Sequence, residues 1–280
     1  MEAVRERIES YADLPWHVRV EGPSGSGKGV AARELYRLSH LFKASFVTCS
    51  VNALADGLVA DQLQGHARGA FTGAVGDRSG LFEAAHGGTI FVDEVATASP
   101  QTQLMLLQLI EGSVQRLGEC RTRNLQQRIV FATNADLEDL VESNQFRSDL
   151  YYRMGSLIVT MPALRDHRED IPELAATILA SLAKECARDC PKLKCATLDR
   201  LIAYDWPGNV RQLEWALKNY MALGKLPADI RRPGRDPREW QDEMDEVLER
   251  HDGNVSESAR ELRISRKAWY KGMERRTSRS

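Results

Sequence analysis

One segment of the chain strongly restricts its possible folds. The glycine-rich turn Gly22-Pro23-Ser24-Gly25-Ser26-Gly27-Lys28 lies between a run of β-forming residues and a helical run. In that context the glycines let backbone N–H groups point at phosphate oxygens, and Lys28 adds a cation near the β- and γ-phosphates. A plain Gly/Ser turn that leads into a helix would also explain the segment. Gly29 occupies the position of the usual Ser or Thr, so one hydroxyl ligand for Mg²⁺ is missing.

A second segment supplies acidic groups. The apolar run Thr89–Val92 is followed directly by Asp93 and Glu94. A buried parallel strand delivers such residues to the carboxyl edge of the sheet, where ligands bind in this class of fold. We expect Asp93 to hold Mg²⁺, directly or through water, and Glu94 to polarise an attacking water. Together with the upstream turn, this pair predicts a site for a nucleotide and Mg²⁺.

Asn134 follows a third apolar run, Arg128–Thr133. On a strand next to the Asp93 strand, its amide could orient the attacking water. A turn-forming asparagine that caps a helix at Ala135 fits the local sequence equally well. Both interpretations stay open at this point.

The order of the elements predicts an α/β fold. Short β-rich runs alternate with helical runs as far as Pro162, which is typical of a mostly parallel sheet with helices on both faces. The predicted strands are Trp16–Glu21, Ser45–Cys49, Thr89–Val92, Arg128–Thr133 and Leu157–Thr160. The predicted helices between them are Lys28–Leu38, Gln101–Glu111 and Asp136–Glu142.

The rest of the chain is predicted to be helical. Helices are expected at Asp170–Ala183 and Val210–Leu223, and Pro207-Gly208 breaks the pattern between them. Residues 226–238 contain three prolines and alternating charges, as linkers do. We therefore expect an α/β subdomain at 1–163, a helical lid at 164–225, a linker at 226–238 and a small helical domain at 239–280. That last domain is predicted to contain helices at 239–250, 256–263 and 265–275.

Composition excludes several classes of protein. No apolar run approaches the ~18–20 residues of a membrane helix, and the first nine residues lack the apolar core of an export signal. Five cysteines, an odd number, argue against a disulfide framework. We expect a cytoplasmic protein with no membrane partner.

The net charge of −2 conceals an asymmetry at the C-terminus. Residues 241–259 contain seven acidic residues and one basic residue, whereas residues 260–280 contain eight basic and two acidic residues. Such a basic segment fits a module that contacts the DNA backbone, and it also fits a solvated tail.

A surface-loop motif identifies the family that the chain resembles. Gly69-Ala70-Phe71-Thr72-Gly73-Ala74 reproduces the GAFTGA signature letter for letter. Residues 1–224 resemble the AAA+ central domain of bacterial enhancer-binding proteins, the activators of sigma-54 RNA polymerase. Further resemblance lies in residues 80–89, 146–153, 162–165, 168–171 and 206–211.

The resemblance implies a ring-forming, Mg²⁺-dependent ATPase, usually a hexamer, with ATP bound between subunits. Arg147 and Arg153 would reach the γ-phosphate of the next subunit, and Arg211 would sense the γ-phosphate of its own. For each arginine, a surface ion pair is the alternative. The ring would consist of identical copies or include a relative.

The GAFTGA loop would contact the sigma-54 RNA polymerase holoenzyme and help to open its closed promoter complex. Glycines at both ends let such a loop move, and Phe71 and Thr72 would form its tip. The alternative is an ordinary hairpin with Phe71 folded inward.

Residues 252–266 resemble the Fis-type helix-turn-helix that these activators carry. Ser256 is expected to cap the first helix of the motif. The helix from Ser265 would lie in the major groove of enhancer DNA. Its expected DNA-contacting residues are Ser265, Arg266, Lys267, Tyr270 and Lys271.

The chain departs from the family pattern at four positions. Ser50 stands where the family has an asparagine that restrains the catalytic glutamate until the partner binds, and Asn52 lies two residues on. Gln64 alters the segment before the loop. Arg263 replaces a turn glycine, and Gly272 lies inside the recognition helix, where glycine costs about 1 kcal/mol relative to alanine.

The N-terminal segment also differs from the family. It is short, so we expect a reduced wall on the adenine side of the site. With no receiver or ligand-sensing domain before it, we expect a regulator acting in trans, or a fragment of a longer chain.

Three cysteines lie close together in the helical part of the sequence. Cys186, Cys190 and Cys195, with His167, could bind a soft metal or be incidental.

Two other functions also fit parts of the sequence. The protein could be a DNA-binding regulator whose AAA+ body serves mainly for oligomerisation, or a helicase loader or branch-migration motor. The intact GAFTGA loop favours the ATP-driven activator.

Overall fold

The computed structural model describes residues 1–40, 43–53, 58–227, 230, 247–248, 250–251 and 254–261. The chain divides into two compact units, Met1–Ile230 and Arg231–Ser280. None of the helices in these described ranges is long and apolar enough to cross a membrane.

The helices and strands follow one another in a largely alternating order. The helices are α1 (Glu2–Ala12), α2 (Lys28–Leu38), α3 (Val59–Gln64), α4 (Leu81–Ala84), α5 (Pro100–Ile110), α6 (Leu137–Glu142), α7 (Ser148–Arg153), α8 (Ile171–Glu185), α9 (Cys195–Ala203), α10 (Asn209–Leu223) and α11 (Val255–Glu261). The strands are β1 (Val18–Glu21), β2 (Phe46–Ser50), β3 (Gly65–His66), β4 (Arg78–Ser79), β5 (Thr89–Asp93), β6 (Ser113–Gln115), β7 (Thr122–Asn124), β8 (Arg128–Thr133) and β9 (Leu157–Thr160).

The central sheet has five parallel strands in the order β2-β5-β8-β1-β9. The predicted parallel sheet is therefore confirmed. Strand β8 lies between β5 and β1, so the strand that precedes the glycine-rich turn and the strand that ends in Asp93 are separated by a single strand. Because all strands run the same way, their carboxyl ends share one edge of the sheet.

Helices cover both faces of the sheet, as the alternating pattern predicts. Alternate residues of β1, such as Val18 and Val20, pack with α1 and α2 on one face. Residues such as Ile129 and Phe131 of β8 face a second core that includes Leu106 of α5. This two-sided burial explains why β8 is buried along its whole length.

The helical lid surrounds its own apolar core. Two single turns of 3₁₀-helix, Leu164–Asp166 and Arg168–Asp170, lead into α8. Trp206, which is 1% exposed, packs with residues of α8, α9 and α10. The sequence pattern predicted α8 and α10 but missed α9.

Two hairpins extend from the sheet. Strands β3 and β4 pair antiparallel and enclose the GAFTGA segment. Strands β6 and β7 also pair antiparallel, and Leu117 between them exchanges backbone hydrogen bonds with the stem of the first hairpin.

The N-terminal region differs from the prediction. Strand β1 begins at Val18 rather than at Trp16, whose side chain is 59% exposed. Helix α1 was not predicted, although Ile8 and Ala12 form a buried stripe at helical spacing. Charged residues on the other positions of α1 obscured this stripe.

A buried arginine attaches α1 to the sheet. The Arg128 guanidinium, fully buried at the start of β8, donates hydrogen bonds of 2.6 Å to the carbonyls of Tyr11 and Ala12. A cation at the C-terminus of a helix is favourable, because unpaired carbonyls gather there. Burial lowers the pKa of Arg128 to about 10.

His17 lies beside this anchor. Its Nδ1 accepts a hydrogen bond from the Ile129 backbone N–H at 3.2 Å, so the ring is neutral in the folded protein. Burial, and secondarily the Arg128 charge, lower the pKa of His17 from 6.5 to about 4. The unfolded chain therefore binds a proton between these pH values that the folded protein does not.

We expect the free energy of unfolding to fall as the pH is lowered from 6.5 to 4, by up to about 3 kcal/mol from His17 alone. In His17→Asn, where an amide oxygen can replace Nδ1 without titrating, this part of the pH dependence should disappear. Urea unfolding at a series of pH values measures it. His40→Asn, at an exposed histidine, is the control and should leave the slope unchanged. Equal slopes for the wild type and His17→Asn would contradict the assignment.

Candidate functional site

The glycine-rich turn wraps around the side chain of its own lysine. Lys28 Nζ donates to the carbonyls of Gly22 (2.8 Å) and Pro23 (3.1 Å). Glycine is needed at Gly22, where φ is +148° and a Cβ would lie 2.4 Å from the Met161 carbonyl oxygen. The Oγ of Ser26 is buried without a hydrogen-bond partner among the described residues, which fits an oxygen-rich ligand at the turn.

The acidic pair lies within electrostatic reach of this lysine. Burial lowers the pKa of Lys28, the Arg211 charge lowers it further, and Asp93 and Glu94 partly oppose the change. Asp93 is the last residue of β5 and Glu94 follows it, and both are half-buried. The structure thus brings together the lysine, the two carboxylates and the lid arginine.

The residues present fit a magnesium ion. Carboxylate and hydroxyl oxygens are the ligands that Mg²⁺ prefers, and Asp93 and Ser26 offer one of each at the same edge of the sheet. The structure has room for a side chain at Gly29, so steric crowding does not explain why the usual hydroxyl is missing there. A Cβ built there would make ordinary contacts of 3.7 and 3.9 Å with the Phe91 ring.

A cavity of about 690 Å³ opens beside the turn. Its size is in the range of small-molecule sites in proteins. Val4 and Ile8 of α1 form one wall, Ser26 and Gly27 belong to the turn, and Leu174 belongs to the lid. Helix α1 of the short N-terminal segment therefore forms one wall of this cavity.

The lid contacts the turn directly through Asn209. Its Nδ2 donates to the Ser24 carbonyl and its Oδ1 accepts from the Leu164 N–H, both at 2.9 Å. Asn209 is buried and adopts φ +51°, which few residues other than glycine and asparagine tolerate. A Cβ at Gly25 would lie 2.4 Å from the Gly208 carbonyl oxygen, so the backbone of the turn packs directly against the backbone of the lid at this point.

Arg211 lies two residues after Asn209, in the first turn of α10. Its guanidinium donates to Ser24 Oγ at 3.2 Å, and its backbone N–H donates to the Gly25 carbonyl. This contact brings the predicted sensor arginine to the turn of its own chain.

Glu94 is restrained in two ways. It has a left-handed backbone conformation (φ +58°), and its carboxylate accepts a hydrogen bond from the Asn52 amide. The Thr97 hydroxyl donates to Asn52 Oδ1 and fixes the amide. Asn52, two residues after Ser50, is thus the residue whose side chain bonds to Glu94. Gln64, another departure, donates to Gln108.

Asn134 lies at the same edge, directly after β8, and is exposed. The capping alternative for this residue is wrong. Helix α6 begins at Leu137, and its cap is Asp136, whose carboxylate accepts from the Glu138 N–H at 2.9 Å.

The two predicted finger arginines mark the ends of α7. Arg147 precedes its first residue and Arg153 is its last, and the side chains are 44% and 51% exposed. Arg147 pairs with Asp149, and Arg153 pairs with Glu111. In this single chain both arginines therefore make the surface ion pairs that the sequence left as an alternative.

The GAFTGA loop projects from the β3–β4 hairpin. A Cβ added at Gly69 or Gly73 would meet no described atom within 4 Å, so the ends of the loop are open to solvent. Phe71 is 45% exposed, and its ring contacts the His66 ring edge-to-face with centroids 5.0 Å apart. Phe71 is therefore outside the core, in contrast to the inward-folded alternative.

Comparison with known families agrees with this arrangement. Residues 1–160 match the sigma-54 interaction domain, residues 165–231 match the AAA+ ATPase lid domain, and residues 241–276 match the bacterial regulatory protein, Fis family. The first match covers more than half of the chain. The chain belongs to the sigma-54 interaction domain family.

Among relatives of this sigma-54 interaction domain, the hydrogenase transcriptional regulatory protein HoxA of Bradyrhizobium diazoefficiens is 38% identical, over 95% of this chain and 60% of its own. The C4-dicarboxylate transport transcriptional regulatory protein DctD of Rhizobium meliloti is 36% identical, over 98% of this chain and 62% of its own length. The chain thus spans about three fifths of the length of these relatives.

A solved structure has the same architecture. NtrX from Brucella abortus in complex with ATP has a TM-score of 0.74 and 28% identity, over 98% of this chain and 67% of that one. The same protein was also solved in complex with ADP.

Within the described residues, the three cysteines and His167 are not brought together as metal ligands. Cys186, Cys190 and Cys195 are exposed, and they do not belong to any group of potential metal ligands among the described residues. His167 instead lies with Glu169 and Asp170 beside the cavity.

The second unit is described in part. Helix α11 is capped by Asn254, whose Oδ1 accepts from the backbone N–H groups of Ser256 (3.1 Å) and Glu257 (3.4 Å). The predicted cap at Ser256 is therefore wrong by two residues. The predicted DNA-contacting residues Ser265, Arg266, Lys267, Tyr270 and Lys271 lie outside the described residues, as do Arg263 and Gly272.

Replacing Asn209 should loosen the lid. Asn209→Gly keeps a residue that tolerates φ +51° but removes two hydrogen bonds, so we expect the free energy of unfolding to fall by about 1–3 kcal/mol. We also expect a fluorescent ATP analogue to bind several-fold more weakly. Asn219→Ala is the matched control, because Asn219 lies on the same helix and its side-chain amide donates within that helix, to the Trp215 carbonyl. If the two variants bind the analogue equally well, Asn209 does not hold the lid to the turn.

Proposed function

We propose that this protein is an ATP-hydrolysing activator of sigma-54 transcription. In a ring of subunits bound to enhancer DNA, it would couple hydrolysis to remodelling of the closed complex of sigma-54 RNA polymerase. The observation that carries this proposal is an exposed GAFTGA loop in the same compact unit as the glycine-rich turn, the Asp93–Glu94 pair and the lid arginine Arg211. The ATP complex of the related NtrX supports the choice of nucleotide.

The site residues support hydrolysis of the γ-phosphate. Lys28, now bonded to loop carbonyls, would turn to the β- and γ-phosphates. Asp93 and Ser26 Oγ would hold Mg²⁺, which neutralises phosphate charge when it is bound. Glu94 would polarise a water for attack on the γ-phosphorus, and the bond to the β–γ bridging oxygen would break to leave ADP and phosphate. Asn134, exposed at the same edge, would help to orient that water.

Asn52 would act as a brake on this reaction. The carboxylate that must accept a proton from water already accepts a hydrogen bond from the Asn52 amide. Because one oxygen of the carboxylate is engaged in this bond, the group is less available to an attacking water. Release of Glu94 from Asn52 would therefore accompany activation by the partner.

Arg147 and Arg153 would complete the site of a neighbouring subunit. Both are about half exposed at the ends of one short helix, next to Tyr152, which is 78% exposed. In other nucleotide hydrolases, an arginine supplied in trans raises the rate of hydrolysis by a factor of roughly 10³–10⁵. A lone subunit should then hydrolyse ATP poorly, whether the ring consists of identical copies, usually six, or includes a relative.

The remaining parts would connect the ring to its partners. Phe71 at the loop tip would contact the sigma-54 holoenzyme, and the Fis-type unit would bind enhancer DNA through the residues from Ser265 to Lys271. Such an activator would work in the cytoplasm, and its signal would come from a regulator in trans or from further segments of the chain.

The ATPase rate per subunit should rise steeply with protein concentration as rings assemble. Glu94→Gln should still bind ATP but lose turnover by about 10²-fold or more, and Arg147→Ala should stay slow at every concentration. A phosphate-release assay, with assembly followed by light scattering, measures both quantities. A rate that stays negligible while rings form would show that the AAA+ body serves only for oligomerisation.

Phe71→Ala should separate ATP turnover from promoter opening. We expect ATPase activity close to the wild type, because Phe71 is 45% exposed in the loop and its ring packs on His66 of the loop stem. Open-complex formation with sigma-54 holoenzyme on a pre-bound promoter should be lost. Val75→Ala, at a side chain that is 84% exposed beside the loop, is the control and should keep both activities. Parallel loss of both activities in Phe71→Ala would refute this division of labour.

A further inference from the structure

A buried arginine lies in the strand that leads to the nucleotide turn. Arg19 is 6% exposed, in the middle of β1, and pairs in register with Phe131 on one side and Ile158 on the other. Its neighbours along the strand, Val18 and Val20, face the core under α1 and α2. Arg19 therefore faces the opposite side of the sheet, where α7 packs. A buried cation is costly unless other groups compensate its charge.

Two groups compensate the charge of Arg19. Its Nε lies 2.5 Å from Oε1 of Glu21, the residue that immediately precedes Gly22 of the nucleotide turn; the two form a close ion pair but not an aligned hydrogen bond. Its guanidinium carbon lies 5.0 Å from the centre of the Tyr151 ring, an arrangement that attracts the cation to the face of the ring. Arg19 thus contacts the base of the turn on one side and α7 on the other.

Tyr151 is well placed to transmit this contact. It lies between Arg147 and Arg153 in the sequence of α7, and its hydroxyl donates to Glu138 of α6 at 2.6 Å. Glu138 raises the pKa of Tyr151, and Arg19 opposes the change, so both charged groups act on the same ring. The apolar side of α7 is held by Leu150, which is fully buried. The orientation of this six-residue helix thus depends on its core residues and on the clamp at Tyr151.

We propose that Arg19 is a positioning residue for the finger arginines: through Tyr151 it sets the orientation in which α7 presents Arg147 and Arg153 to the next subunit. This inference rests on the proposed function, in which those arginines act in trans. The same buried cation is paired with the base of the subunit's own nucleotide turn. In each subunit, the Arg19 side chain would thus connect the subunit's own nucleotide turn to the finger arginines that enter the neighbouring subunit's site.

Arg19→Met should lower the ATPase turnover number about tenfold, since small displacements of catalytic groups have effects of this size or larger. The dissociation constant for a fluorescent ATP analogue should stay near the wild-type value, because the nucleotide turn of the variant is intact. The decisive measurement is a mixing experiment. Lys28→Ala subunits lack a working turn but carry intact finger arginines. When they are mixed with Arg19→Met subunits, some sites combine a working turn with correctly held fingers, so the activity should exceed that of either variant alone.

Mixing distinguishes this role from an effect on the subunit's own turn through Glu21. In that case neither variant would have a fully working turn, and mixing would give no gain over Arg19→Met alone, which would overturn the inference. A mixture of Arg147→Ala with Lys28→Ala is the matched control and should gain activity. If this control gains nothing, the shared site of the proposed function is wrong and the inference falls with it. If only the Arg19→Met mixture gains nothing, the inference alone is wrong.

Tyr151 offers a second variant pair should Arg19→Met fail to fold. Tyr151→Leu removes the ring face and should behave like Arg19→Met, both alone and in mixtures with Lys28→Ala. Tyr151→Phe keeps the face over the guanidinium and loses only the bond to Glu138, so it should retain several-fold more turnover than Tyr151→Leu. Circular dichroism and thermal melting identify the folded variants. Equal turnover of the two folded Tyr151 variants would show that the cation does not act through this ring.

Discussion

The parallel hydrogen-bond ladder through β5, β8 and β1 is the constraint on which the rest of the structure depends. It fixes the ends of three strands beside one another, so that the turn at Gly22, the carboxylate of Asp93 and the amide of Asn134 share one edge. Residues more than a hundred positions apart thereby form one site. An antiparallel arrangement of any of these strands would send its polar end to the opposite edge.

In the isolated chain, the charged groups of the site already have partners of their own. Lys28 bonds to the carbonyls of its turn, Glu94 to the Asn52 amide, and Arg153 to Glu111. Each of these contacts lies within one subunit and must be exchanged before the group can act on a phosphate. In our proposal, the nucleotide takes Lys28 from its carbonyls, the neighbouring subunit takes Arg153 from Glu111, and the polymerase releases Glu94 from Asn52. An unassembled subunit would therefore not consume ATP.

Much of this could be predicted from the sequence, and the errors have physical causes. The strands of the sheet and the glycine-rich turn were predictable because β-branched runs and glycines leave strong local patterns. Helix α1 and the cap at Asn254 were missed because charges hid an apolar stripe and because a serine and an asparagine are equally good caps. The contacts of Asn52, Asn209 and Arg19 join residues far apart in the chain, so local patterns carry no signal for them.

The anchor of α1 has a consequence for how the protein is made. The bond from Arg128 to the Ala12 carbonyl joins residues separated by 116 positions. On the ribosome, the first helix is therefore complete long before the strand that fastens it has been synthesised, and it must wait as a short, weakly stable helix. The wall that it gives to the cavity exists only from the moment β8 joins the sheet, so the nascent protein gains its full pocket late.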